Sequence, residues 1–546
     1  MGELIKSSNE VLIVDDSTIV LSSLKLMLKN IGFNDNNIKF TSNPKTVVAL
    51  CKRYDFDIII CDYNFGNNLN GRQVFEELKH YKLIKNKTIF IIITADSSVQ
   101  TVRAVIELEP DEYLLKPFNL NDLKLRINNS MRRKIVLNNL VEADRENDYR
   151  SGILVCDRLL NSNPEYYFII QRYKANFLKK LKLYEEAETV YRETLNKKDL
   201  DWIKLGLANT LTANGKTKES YTILSDLLKQ NPRSVDLHKE LSNWHLTVNS
   251  VPNAISHLKL VSELVPGNSE RELVISNLCL SVRDYQSALE RYRLYKTINK
   301  DTFRDNSYIN INLCRRLLMS IPSKINTSCP ELFEAGKIIS DLLEINDLKL
   351  EINDLKPIID LIVAHISMIK GEYKNTITIL SSIYRNHDFT HFDDLYHWLF
   401  ILDQMSFDTE FSKYYPLLID SIKKTENTKI MESQLKLSES LDNNNKRKIE
   451  WLEKKLNHIE SLSDDMEKLS ILLDIHKEYP ILRSVSFRII DFLGKIWPTG
   501  YGKLQVKEII DSCSAVIMQL SNDTDKMQFE KILNLANLTL NNYSEG

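Results

Sequence analysis

Glycine and proline are scarce. Glycine (14) and proline (13) together make up about 5% of 546 residues, against roughly 12% in average usage. A β-sandwich or barrel needs turn residues every few positions, so the shortage argues against both. It also excludes a collagen-like or low-complexity chain. Helices with short connections are what remains. Hydrophobic residues, at 43%, are numerous enough to build real cores and set aside global disorder. Length predicts three or four domains at roughly 150 residues each, or fewer if one is a repeat array.

An excess of charge of one sign is lacking too. Lys and Arg number 72 against 74 Asp and Glu, which gives no overall basic footprint for nucleic acid or an anionic membrane. The short basic runs Arg132-Arg133-Lys134 and Lys446-Arg447-Lys448 read as solvated helix faces. No apolar run approaches the ~18 residues of a membrane-spanning helix, and Met1 to Glu10 is polar, without a signal-peptide core. Seven cysteines occur singly with no CxxC pair. That pattern fits free thiols in a reducing cytoplasm better than disulfides or zinc. The expectation is a cytoplasmic protein with no nucleic-acid partner and no membrane insertion.

Over the first 130 residues, short β-rich runs alternate with amphipathic stretches. The strands predicted are Val11–Val14, Ile38–Thr41, Asp57–Cys61, Ile89–Thr94 and Glu112–Leu115, and the helices are Thr18–Asn30, Pro44–Tyr54, Arg72–Tyr81, Ser98–Leu108 and Asn121–Met131. Continuous runs such as Ile58-Ile59-Ile60 suit strands buried on both faces. Strict alternation implies a five-stranded parallel sheet of flavodoxin-like α/β type, whose ligands bind beyond the carboxyl ends of the strands. Those ends carry Asp15 and Asp16, Asp62, Thr94, and Lys116 followed by Pro117. Three neighbouring carboxylates repel one another. A hard dication such as Mg²⁺ relieves this while keeping several waters, and with a lysine it can hold a phosphoryl group.

In order and spacing these residues resemble the receiver domain of bacterial two-component response regulators over residues 9–130: Val11-Leu-Ile-Val-Asp15-Asp16-Ser17, Asp62 after Ile58-Ile-Ile-Cys, Thr94-Ala95, and Lys116-Pro117-Phe118. The resemblance implies that Asp62 accepts phosphate from a histidine kinase. It implies Mg²⁺ on Asp16 and Asp62, on Asp15 mostly through water, and on the backbone carbonyl of Asn64. It implies that Thr94 and Lys116 hold the phosphoryl oxygens, that Tyr113 is the aromatic switch working with Thr94, and that the Lys116–Pro117 bond is cis. The family usually reads Asp-x-x-Met-Pro-x-x-x-Gly after its acceptor. Here Asp62-Tyr-Asn-Phe-Gly-Asn-Asn-Leu-Asn-Gly71 has no proline and one extra residue, with Gly66 and the asparagines available for positive φ.

Beyond residue 130 there is no Gly-Gly-acidic-acidic cyclase loop, no Glu-Ala-Leu motif, no HExxH, no Gly-x-Ser-x-Gly and no P-loop. His391 and His397 read as surface histidines. The region is instead periodic. Small residues recur at Gly152, Ala187, Ser220, Ala254 and Ala288, with Pro164, Asp199, Pro232, Pro266 and Lys300 twelve positions later, and Ala175, Ala208, Ser242 and Ser276 twelve positions before the last four. Small residues at that offset let two antiparallel helices approach, and proline forces the turn to the next pair. The pattern resembles a tetratricopeptide-repeat array over 131–300, followed by a divergent helical array over 301–546 with one further unit near Gly371. Stacking of such units builds an all-α solenoid. A heptad, Leu343 to Lys349, is duplicated as Leu350 to Lys356, and Pro357 is expected to end that helix.

One position after each small residue of the first helix stands Asn176, Asn209, Asn243 or Asn277. In the resembled repeats this position faces the concave groove, and asparagine can both donate to and accept from a peptide amide. With Arg172 and Lys239 four residues earlier, the set resembles a partial carboxylate clamp. Apolar residues at 123, 127, 131, 135 and 140, with no Pro/Gly/Ser linker, predict that the last receiver helix runs on into the first repeat helix.

The expected protein is a response regulator, not an enzyme beyond its own phosphorylation, whose repeat arm binds a protein partner such as a kinase or a sibling regulator. The layout is similar to that of auxiliary VieB-type regulators. A receiver-mediated homodimer fits the same family pattern. The alternatives are a phosphate sink, or an enzymatic or nucleic-acid-binding output within 301–546.

Overall fold

The computed structural model describes residues 5–66, 69–321, 329–344, 349–520 and 523–543, with side chains at 349–354, 520 and 523–528 set aside. Five strands, β1 (Val11–Val14), β2 (Ile38–Thr41), β3 (Ile58–Asp62), β4 (Ile89–Thr94) and β5 (Glu112–Leu115), form one parallel sheet in the order β2-β1-β3-β4-β5. β1, β3 and β4 are buried at every position, which is why their sequences run apolar without alternation. The helices between them are α1 (Thr18–Ile31), α2 (Val47–Arg53), α3 (Gly71–His80) and α4 (Val99–Glu107). Each strand boundary agrees with the sequence expectation to within a residue.

Helix α5 (Leu120–Arg145) begins at an Asn119–Asp122 capping box and continues unbroken for 26 residues. Its first half packs Leu123 and Ile127 under the sheet. Its second half packs Leu137 and Leu140 against the first of the paired helices. The buried stripe departs from the expected one at Ile135, which is 65% exposed. The stripe passes instead through Ser130 and Leu137, because beyond the sheet the helix turns a different face to its new neighbours.

Antiparallel pairs follow: α6 (Tyr149–Ser162), α7 (Tyr167–Lys180), α8 (Tyr184–Lys197), α9 (Asp201–Ala213), α10 (Thr217–Gln230), α11 (Val235–Thr247), α12 (Val251–Leu264), α13 (Ser269–Ser281) and α14 (Tyr285–Ile298). Ala175, Ala187, Ala208, Ser220, Ala254, Ser276 and Ala288 are each fully buried. Two of the small residues are also bonded: the Ser220 hydroxyl donates to the Ala208 carbonyl at 2.7 Å and the Ser276 hydroxyl to that of Ala288 at 2.8 Å. A Cβ on Gly152 would lie 2.6 Å from the Phe177 ring, so only glycine admits that ring. The turns repeat as well. Asn147, Lys182, Gly215, Asn249 and Arg283 all have positive φ, at the same spacing as the small residues.

The chain divides into two compact units. The first comprises Met1–Arg271 and Ile298–Asp305, so the sheet domain and the first helical pairs form one body. The second comprises Glu272–Thr297 and Asn306–Gly546. It contains α15 (Ser307–Met319), α16 (Pro330–Glu344), α17 (Lys349–Ile369), α18 (Tyr373–Asn386), α19 (Phe392–Gln404), α20 (Asp408–Ile422), α21 (Thr428–Ser461), α22 (Asp465–Glu478), α23 (Arg483–Leu493), α24 (Lys503–Leu520) and α25 (Asp523–Asn542).

Three sequence readings change in the second unit. α17 continues through Pro357 to Ile369. Ile358, Ile359, Leu361, Ile362 and Ala364 are buried just after it, so packing outweighs the lost helical hydrogen bond. Much of the heptad duplication before it lies outside the described residues. His397 is fully buried and pairs with His365 at 2.9 Å, because α19 is covered on nearly all sides. Lys448 is buried as well, held between Asp403 at 3.0 Å and Asp408 at 2.9 Å. Two carboxylates draw it inward from what reads locally as a solvated run.

Candidate functional site

The carboxyl ends of β1, β3, β4 and β5 bring four polar side chains together. Asp15 follows β1, Asp62 ends β3, Thr94 ends β4 and Lys116 follows β5. Asp15, Asp62 and Thr94 are 1%, 6% and 1% exposed. The Lys116 ammonium donates to Asp15 Oδ2 at 2.7 Å and to Asp62 Oδ1 at 2.8 Å. The free oxygens are held from the backbone: Asn64 N–H donates to Asp62 Oδ2 at 3.0 Å and Ser17 N–H to Asp15 Oδ1 at 2.9 Å. Lys116 is itself fixed by its N–H on the Thr94 carbonyl at 2.8 Å, and its bond to Pro117 is cis.

One ammonium therefore serves two buried carboxylates. Burial pushes the Asp62 carboxyl above its ordinary pKa, and Lys116 only partly opposes it. Burial lowers the Lys116 ammonium, but Asp15 and Asp62 outweigh that and raise it. The site has a deficit of positive charge. Its donors are hard carboxylate oxygens, the kind a small dication prefers. Asp16 is exposed, beside Gly66 of the following loop. Among the described residues no three carboxylate, imidazole or thiol groups converge tightly enough to grip an ion; Lys116 stands between the two buried carboxylates.

The unusual loop after Asp62 is anchored by its own apolar residues. Phe65 and Leu69 are buried in the core beneath it, and Gly66 has φ +57. Asn67 and Asn68 lie outside the described residues. The loop closes with the Gly71 N–H on the Tyr63 carbonyl at 2.8 Å. A Cβ on Gly71 would sit 2.5 Å from the Asp62 carbonyl oxygen, so this glycine permits α3 to start directly under the end of β3. Tyr113, on β5, is 36% exposed.

Most of the residues expected to face a groove are engaged by the chain itself. Asn209 accepts from the Lys179 ammonium at 3.1 Å and donates to Glu240 at 2.7 Å. Asn243 donates to the same Glu240 at 3.3 Å. In the second unit Asn277 is buried, donating to Ser433 of α21 and accepting from Arg316, both at 3.1 Å. Arg172 meets Glu109 at 3.5 Å, and Asn176 lines a cleft beside it.

Lys239 finds a carboxylate of the sheet domain. Glu107, the last residue of α4, lies 2.9 Å from Lys239, 2.9 Å from Arg271 and 3.0 Å from Arg72. Burial alone would raise its pKa; Arg271, Lys239 and Arg72 outweigh that and hold it at about 2. Around this cluster Leu264 and Val265, at the end of α12, belong to the same core as Tyr63, Val74 and Val105. The segment after α14 closes the face: Phe303 stacks on His80 at 3.9 Å and Arg304 reaches Glu76 at 3.1 Å. None of this was legible by motif. One signal was present, since an acidic residue at a helix carboxyl end opposes the helix dipole and so calls for an external cation.

The response regulator receiver domain family matches residues 11–128. The cell cycle response regulator CtrA of Brucella ovis is 31% identical over 123 residues, which is 22% of this chain and 50% of that protein. The same protein of Brucella abortus (strain 2308) gives the same figures. The chain thus spans about half the length of the curated relatives it matches. A receiver domain protein of Clostridium thermocellum is 24% identical, with a TM-score of 0.21, covering 24% of this chain and 98% of that one. No described helix is long and apolar enough to cross a membrane. With the sheet order, the strand-end residues and the family match in agreement, residues 11–128 are a response regulator receiver domain.

Proposed function

We propose that the chain is a phosphorelay response regulator in which Asp62 accepts a phosphoryl group from a histidine kinase and a tetratricopeptide-like arm binds a protein partner. The observation that carries this reading is the Lys116 ammonium bridging Asp15 and Asp62 at the open end of the sheet. The backbone holds Asp62 through one oxygen and Lys116 balances the other, which orients the carboxylate toward an incoming phosphorus. Thr94, at the neighbouring strand end, supplies a hydroxyl for a phosphoryl oxygen. Mg²⁺ is the cofactor the charge deficit calls for, with Asp15, Asp16, Asp62 and the Asn64 carbonyl as its holders; bound there, it supplies the positive charge that phosphoryl transfer needs.

The repeat reading of the arm is supported by the buried small residues and by the matching spacing of positive-φ turns. In this reading the chain acts in the cytoplasm, has no catalytic output of its own, and passes its state through the continuous α5. Tyr113, Leu115 and Leu125 are exposed on β5 and α5, which supports a homodimer through that face. The test is incubation with acetyl phosphate and graded Mg²⁺, reading phosphoryl uptake by intact mass. One phosphoryl group per chain, dependent on Mg²⁺ and lost in Asp62→Ala, is expected. Uptake that persists in Asp62→Ala rules the reading out.

A further inference from the structure

A cleft of about 1320 Å³ opens at the amino ends of β4 and β5, the edge of the sheet opposite Asp62. One wall is the end of α3 and the connection to β4; the other is formed by α5 and α7. Eight cationic side chains line it against two carboxylates, in a chain whose overall formal charge is −2; at its margin Lys85, Lys87, Arg133 and Arg145 pair with Asp55, Asp57, Glu112 and Glu142. We propose that this cleft docks an acidic, extended segment of a partner protein. The proposal deepens the partner-binding reading above, resting on it only for the idea that the arm recruits a protein.

The chain itself displays the chemistry. Its Glu109-Pro110-Asp111 segment runs along the rim as an acidic-x-acidic strip. Arg172 meets Glu109 at 3.5 Å, Lys134 meets Asp111 at 3.1 Å, and Arg133 donates to the Asp111 carbonyl. Both Arg172 and Glu109 are more than half exposed, so that pair is weak and exchangeable. Across the cleft, Lys79 and Lys82 have no carboxylate within ion-pair distance among the described residues. Burial already holds the Lys79 ammonium below its ordinary pKa, a cost that an incoming carboxylate offsets.

The lining also selects among anions. Ile84, Leu137 and Ile169 give it an apolar floor, and Asn138 and Asn176 offer amides that pair with a peptide backbone. Single-stranded nucleic acid is gripped by stacking its bases on several aromatic rings; here Tyr173 is the one aromatic residue in the lining. A lone phosphate would leave most of the cleft empty. An acidic polypeptide with interspersed leucines matches the cations, the floor and the amides together.

The experiment uses the full-length chain and a fluorescein-labelled peptide, Glu-Leu-Glu-Glu-Leu-Glu-Pro-Glu, read by fluorescence anisotropy at low salt. Binding is expected, weakening with salt. The double charge reversal Lys82→Glu/Arg172→Glu, at two exposed positions, is expected to raise Kd by about tenfold or more. Each single reversal is measured too, so that a double variant that fails to fold leaves the idea exposed to test; each should raise Kd about threefold. No binding by the wild type, reversal variants within error of it, or tighter binding of an oligothymidylate of equal charge would overturn the proposal. Phosphoryl uptake from acetyl phosphate is followed in parallel. Lost peptide binding with normal uptake locates the failure in the cleft, and lost uptake with normal peptide binding locates it at Asp62.

Discussion

Two buried carboxylates of the sheet domain have opposite surroundings. Asp62 shares one ammonium with Asp15, and burial raises its pKa. Glu107 meets three cations, two of which also reach Glu76 and Asp236, and is held at about 2. The first site is short of positive charge and sits at an open sheet end, the surroundings on which the proposed uptake of a dication and a phosphoryl group rests. The second is ringed by cations drawn from both the sheet domain and the helices and lies beside apolar contacts, so it fastens the receiver to the helical arm. The balance of charge, more than the presence of a buried acid, separates the carboxylate proposed to react from the structural one.

The comparison breaks most sharply at Asp62. Asp62→Asn should abolish phosphoryl uptake while leaving the urea midpoint near wild type, as read by intact mass and by circular dichroism. Glu107→Ala should do the reverse. It removes the carboxylate that Arg72, Arg271 and Lys239 share, which costs about 3 kcal/mol, seen as a lower urea midpoint and faster amide exchange in α4. Equal effects of the two changes would erase the distinction drawn here.

Acid should act on Glu107 with a definite sign. Its folded pKa is depressed, so its contribution is complete above about pH 5 and is lost as pH falls toward 2, amounting to about 3 kcal/mol. Denaturant midpoints across that range check it, and Glu107→Gln should flatten the dependence. A smaller effect is expected at Gly71. Gly71→Ala puts a methyl group against the Asp62 carbonyl, and the backbone shift should cost about 1 to 2 kcal/mol and slow phosphoryl uptake without abolishing it.

The receiver could be read from its sequence because its polar residues lie at strand ends and three of its five strands are short, wholly buried runs rich in Ile and Val. Local pattern is enough to place Asp15, Asp62, Thr94 and Lys116 at one edge. The helical pairs were legible for a related reason: a small residue every 34 or so positions is needed wherever two helices touch. Ile135, Pro357, His397 and Lys448 were misread because their environment is set by neighbours far along the chain. Lys448, for example, is drawn inward by Asp403, 45 residues away, which no window of helical periodicity includes.

The sequence by itself determined the parallel sheet, the residues at its carboxyl edge, the continuity of α5 and the phase of the helical pairs. Each follows from burial and backbone geometry acting over a few residues. Only the tertiary structure decided what the cations of the helical pairs hold. Lys239 could have waited for a partner's carboxylate, yet it takes Glu107, 132 residues earlier, because folding brings α4 against α11 and a buried acid is tolerated only where cations meet it. Such pairing depends on which surfaces come together, and charge complementarity across that distance leaves no periodic trace in the chain.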